Sequence, residues 1–67
     1  MANPTAYRKE LREKILKAAM AEFMQRGLKA VKMDDIAKKM VMSKRTLYEI
    51  FADKEELLYE CVKYGSE

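Results

Sequence analysis

Residues 43–51 read Ser-Lys-Arg-Thr-Leu-Tyr-Glu-Ile-Phe, and the organisation of the chain can be worked outward from this stretch. Leu47 and Phe51 are four apart with Ile50 beside them, so the three fall on the inward side of a helix. Lys44, Arg45, Tyr48 and Glu49 occupy its other faces. Ser43 stands where a cap belongs, its hydroxyl able to accept a backbone N–H from the first turn. The stretch therefore predicts a short helix over 44–51, anchored from one side and crowded with long donors at its start.

Val41-Met42 leaves room only for a tight turn before this helix. Ahead of the turn, Ile36, Ala37 and Met40 share a face, and Asp34 and Asp35 suit the positive end of a helix dipole, which predicts a helix over 33–41. Leu28 to Val31 reads as a loop. Gly27 reads as a terminator, because it enters the left-handed conformation at no steric cost. It closes a helix over 7–26, where Leu11, Ile15, Ala18, Ala19 and Phe23 recur at three and four and Leu16, Met20 and Met24 widen the stripe. On the other side, Asp53 caps a helix over 54–64, with Glu56 three residues on in a capping-box-like arrangement. Its buried face is expected to hold Leu57, Leu58, Cys61 and Val62. No segment alternates apolar and polar residues as a strand would. The expected fold is all-α, a three-helix helix-turn-helix bundle plus the start of a fourth helix, forming a single domain over 1–67.

Size and composition narrow the function. Sixty-seven residues make one domain at most, too small to enclose a large catalytic cleft. With 49% hydrophobic and 37% charged residues, the chain is too apolar for a disordered tail and too charged for a membrane span. The start, Met1 to Thr5, has no basic-then-apolar signal pattern, so a cytoplasmic location is expected. One cysteine and no histidine exclude an internal disulfide and remove the usual metal ligands and general base. Cys61 reads as a small buried hydrophobe. No enzyme activity, cofactor or metal is expected.

Charge is unevenly placed. Residues 1–48 carry twelve basic and five acidic side chains, a local charge of +7, whereas residues 49–67 carry two and six, a local charge of −4. A basic body with an acidic end either presents one face to a polyanion or is simply a solvated surface. The 43–51 stretch favours the polyanion. A groove-reading helix needs apolar anchors on one side, long donors near its N-terminus for base edges, and hydroxyls that grip phosphates. Ser43, Lys44, Arg45, Thr46, Leu47, Tyr48 and Phe51 supply these parts, and Lys54 at the next helix start suits a phosphate. Tyr7, Arg8, Lys9 and Arg12 form a basic start that is either solvated or reaches phosphate or the minor groove.

From Arg12 to Leu58 the sequence resembles the DNA-binding head of the TetR-type bacterial transcriptional repressors. The resemblance rests on Ile15-Leu16-x-Ala18-Ala19 and Phe23-x-x-x-Gly27, Asp35-Ile36-Ala37, Ser43-x-x-Thr46-Leu47-Tyr48-x-x-Phe51, and Lys54-Glu55-x-Leu57-Leu58. Each motif is weak alone; their order and spacing make the signal specific. It implies double-stranded DNA as partner, with Lys44, Arg45 and Glu49 facing base edges and Ser43, Thr46, Tyr48 and Lys54 on the sugar-phosphate backbone. It also implies that the fourth helix begins a connection to a larger ligand-binding and dimerisation domain, absent here. The parent protein would then be a homodimer through that domain, and this fragment would not bind its small-molecule effector.

The sequence departs from the family pattern at three places. Val41 stands where glycine is usual between the second and third helices, and a β-branched residue at positive φ costs about 1–2 kcal/mol. Lys32 stands where the family often has a Thr or Ser cap whose hydroxyl lies near a phosphate, so the cap is lost but a charge is offered to that phosphate. Arg45 and Glu49 replace a small residue and an aromatic or histidine, so the reading surface is this chain's own. Glu49 either accepts from a cytosine amine or pairs with Arg45 one turn away. The alternative function is a small helical protein–protein interaction module using the acidic fourth helix or the methionines.

Overall fold

The computed structural model describes residues 4–66. Four helices follow one another: α1 (Pro4–Arg26), α2 (Met33–Lys39), α3 (Lys44–Ile50) and α4 (Lys54–Ser66). The all-α, helix-turn-helix expectation holds, with shifted boundaries. α1 begins three residues before Tyr7, because a proline fits a first helical turn whose N–H groups have no intrahelical partner anyway. α3 ends at Ile50, and Phe51 serves as its cap with extended backbone, its N–H donating to the Leu47 carbonyl at 2.9 Å. α4 runs two residues beyond the expected 64.

α1 stops where expected. Gly27 has φ +88° and its N–H donates to the Phe23 carbonyl at 2.9 Å. α2 differs more: it ends at Lys39 rather than the expected 41, and Met40 and Val41 make the turn. The Met42 N–H reaches back to the Ala37 carbonyl (2.9 Å) and the Val41 N–H to the Lys38 carbonyl (3.0 Å). These paired bonds are a Schellman closure, with Val41 at the position that glycine usually fills. Val41 has φ +54°, and among the described residues no other non-glycine residue has positive φ. Its side chain is 91% exposed, so it meets no core atom and the strain lies in its own backbone.

The caps explain the remaining starts. Ser43 Oγ accepts the Thr46 N–H at 3.2 Å, and Asp53 Oδ1 accepts the Glu56 N–H at 2.8 Å. At α2 the N-cap is Lys32, whose ammonium has no acceptor to offer. The reciprocal half of a capping box is made instead: Asp35 Oδ2 accepts the Lys32 N–H at 2.9 Å. That bond, with Arg26 at 3.6 Å helping, holds the Asp35 carboxyl below its ordinary value of 3.8.

The core lies where α1 packs on α2 and α4 and where α2 packs on α3. Ile15, Leu16, Ile36, Leu47, Phe51 and Leu57 are almost fully buried. Val31, read only as loop, is also fully buried. Two expected core residues lie outside: Met24 is 85% exposed and Val62 67% exposed. The buried line of α4 is Leu57 and Cys61, four apart, and one residue beyond Cys61 turns the helix about 100° away. Cys61 is buried with its thiol toward the Leu16 carbonyl (3.8 Å), and burial raises its pKa. Ion pairs lace the outside, with Lys39 on Glu22 at 3.8 Å joining α2 to α1 and Arg12 on Glu60 joining α1 to α4.

Two outcomes follow from these local features. Val41→Gly and Val41→Asn should each raise thermal stability, by on the order of 1 kcal/mol after the unfolded-state entropy of glycine is counted. For a domain this small that is a rise of roughly 4–8 °C, readable by circular dichroism; a fall would mean that Val41 makes contacts that offset its backbone. The depressed carboxyl of Asp35 adds stability that is present above the unfolded aspartate value and lost as pH falls through the lower folded value. Asp35→Asn should therefore flatten the acid limb of a stability-against-pH curve without changing its neutral-to-alkaline shape.

Candidate nucleic-acid interface

The surface formed by the first turn of α3 and the first turn of α2 gathers most of the residues expected to touch DNA. Ser43, Lys44, Arg45 and Thr46 follow one another at the start of α3, and Tyr48 and Glu49 stand one turn on. Ser43, Lys44, Arg45, Tyr48 and Glu49 are exposed and Thr46 is half-buried. The helix cannot slide, because Leu47 and Phe51 beneath it have no exposed surface. The Ser43 and Thr46 hydroxyls are 2.9 Å apart and share a hydrogen bond. A hydroxyl both accepts and donates, so Ser43 can cap the helix and still offer its proton outward.

The cations of this surface are not bare. The Lys44 ammonium sits 3.0 Å from the Asp34 carboxylate in the first turn of α2, a pairing that ties the two helices together. Arg45 Nε lies 3.7 Å from Glu49 Oε1, the intrahelical pair that its spacing allows. Arg45 remains 91% exposed all the same. Lys32 is exposed two residues before Asp34, so its charge stands at the same end of α2.

Lys54 is placed differently from these. Its ammonium donates to the Leu28 carbonyl in the α1–α2 loop and lies 6.0 Å from the centroid of the Phe23 ring. It therefore stitches α4 to the loop, and a phosphate would have to share it. Arg12 is likewise occupied, by Glu60 and by the Phe51 ring at 5.4 Å. Of the basic start, Tyr7 and Arg8 lie against α3, forming a shallow groove with Leu11, Thr46, Glu49 and Ile50. Asp34 is a residue whose partner the sequence does not reveal. In sequence it looked like a helix-dipole carboxylate, and only the crossing of α2 and α3 brings it to Lys44.

The arrangement can do one kind of chemistry well. It offers several charge-assisted and hydroxyl donors, on a helix thin enough to enter a groove, to an anionic or acceptor-rich partner. No helix among the described residues is long and apolar enough to cross a membrane.

Lys54 and Lys44 should separate in a stability test. Lys54→Ala should lower the melting temperature, by roughly 4–8 °C for each kcal/mol of the lost charged hydrogen bond, worth on the order of 1 kcal/mol here. Lys44→Ala, which removes only an exposed pair, should move it by little. Equal effects from the two would show that Lys54 is not stitched to the loop.

Residues 15–61 match the family model described as bacterial regulatory proteins, tetR family. No curated protein and no solved structure matches the chain.

Proposed function

The chain belongs to the tetR family of bacterial regulatory proteins, which bind double-stranded DNA, and on that premise we propose that it is a sequence-specific repressor head that places α3 in the major groove. The observation that carries this reading is the pair of adjacent cations, Lys44 and Arg45, at the exposed start of a helix whose other side is fixed by Leu47 and Phe51. Lys44, Arg45 and Glu49 read base edges. Ser43, Thr46, Tyr48 and Lys32 hold the sugar-phosphate backbone, and Lys54 joins them at the α4 start, exchanging the Leu28 carbonyl for a phosphate or sharing itself between them. Arg45 is the strongest candidate for bidentate recognition of guanine, worth about 1–3 kcal/mol of discrimination.

On this reading the chain works inside the cytoplasm as part of a homodimer. A separate C-terminal domain would make the dimer and bind the small-molecule effector. By itself the head binds weakly, because two linked half-site contacts raise affinity far above one. A second reading draws on the apolar groove between α1 and α4, lined by Met20, Phe23, Met24, Leu58 and Val62. In that reading the chain is a helical protein–protein interaction module.

Titration of labelled duplex by fluorescence anisotropy at two salt concentrations distinguishes them. Binding should weaken steeply with salt, because each phosphate contact releases condensed counterions. Arg45→Ala should relax sequence preference, and Lys54→Ala should weaken all duplexes alike. Affinity indifferent to salt, or two variants that change nothing, would overturn the proposal.

A further inference from the structure

Both cations at the start of α3 have a carboxylate of their own chain beside them. Lys44 has Asp34 at 3.0 Å and Arg45 has Glu49 at 3.7 Å. Solvent-exposed pairs of this kind contribute little to stability. Asp35, next in sequence, is taken up by the Lys32 N–H and Arg26. Asp34, among the described residues, forms its ion pair with Lys44 alone. Two carboxylates thus stand on the very surface that, on the DNA-binding reading above, meets a polyanion.

We propose that Asp34 and Glu49 are specificity-determining residues, internal counterions that make Lys44 and Arg45 poor ligands for phosphate and leave them available to base edges. The inference rests on that DNA-binding reading. Indiscriminate affinity for duplex comes from cations released as net positive charge reaches the phosphates. A lysine neutralised by a neighbouring carboxylate brings no net charge, and on approaching a phosphate it carries an anion against an anion. A base edge behaves differently. Guanine N7 and O6 are neutral acceptors that do not repel the carboxylate strongly, and a cytosine amine donates to one. Exchanging Asp34 or Glu49 for a phosphate therefore gains little, whereas adding a base edge beside the pair gains a hydrogen bond. Discrimination arises by penalising the wrong contact. Asp34 acts through Lys44 and is a positioning residue; Glu49 sits on the reading helix itself.

The test compares wild-type chain with Asp34→Asn, Glu49→Gln and Asp34→Glu. Glu13→Gln, which makes the same change in net charge on the α1–α4 face, is the control. Each is titrated by anisotropy against a random-sequence duplex, and against a duplex selected by the wild type from a random pool, with folding followed by circular dichroism. Asp34→Asn and Glu49→Gln should each raise affinity for the random duplex by about three- to ten-fold and steepen its log–log salt slope by about one. The selected duplex should gain less, so the ratio of selected to random affinity falls. Asp34→Glu should keep the wild-type ratio, and Glu13→Gln should change it by less than about two-fold, because Glu13 is the ion-pair partner of neither Lys44 nor Arg45. If wild type binds neither duplex in a salt-dependent way, the DNA-binding reading itself fails. If wild type binds but both neutral variants keep the ratio, or only match Glu13→Gln, the counterion role is wrong and DNA binding stands.

Discussion

A helix of seven residues cannot sustain itself in water, because too few hydrogen bonds follow its costly first turn. α3 exists because Leu47 and Phe51 are sunk in the core with no exposed surface. Ser43 closes its first turn from the solvent side. Everything displayed on the outer face, Lys44, Arg45, Tyr48 and Glu49, inherits its position from that two-point anchor. The anchor leaves Lys44, Arg45, Tyr48 and Glu49 exposed for display, while Ile50 packs against the edge of the core.

The direction in which α3 leaves the body is set one step earlier. The paired bonds from Met42 to Ala37 and from Val41 to Lys38 reverse the chain within a few residues, and the Lys44–Asp34 pair then joins the two helix starts. Valine in the left-handed region is an uncomfortable way to make the reversal. The turn accommodates valine because its side chain is exposed to water, and the two backbone bonds close the reversal.

Much of this was legible in the sequence, and for identifiable reasons. Ser43, Asp53 and Gly27 mark helix ends by chemistry that acts within three or four residues, and periodic Ile15, Ala19 and Phe23 mark a buried face. The strain at Val41 was also readable, from a glycine position filled by a β-branched residue. What escaped depends on chain segments far apart in sequence. Val31 is buried without any periodic partner, because the fold happens to close over the loop. Met24 and Val62 sit at the edges of their stripes, where one 100° step decides between core and solvent. Lysine pairing was the least visible. A flexible four-carbon stem reaches several acceptors, so neither the bond from Lys54 to Leu28 nor the Asp34 partner of Lys44 has a sequence signature.

The central claim is that the α2–α3 surface, and not the apolar groove between α1 and α4, is where this chain meets its partner. Amide chemical-shift mapping by NMR during titration with duplex DNA tests it most directly. The account predicts shifts concentrated at residues 32–34, 43–49 and 54, fading together as salt is raised. Shifts centred on Met24, Leu28, Leu58 and Val62, with α3 unmoved, would contradict it.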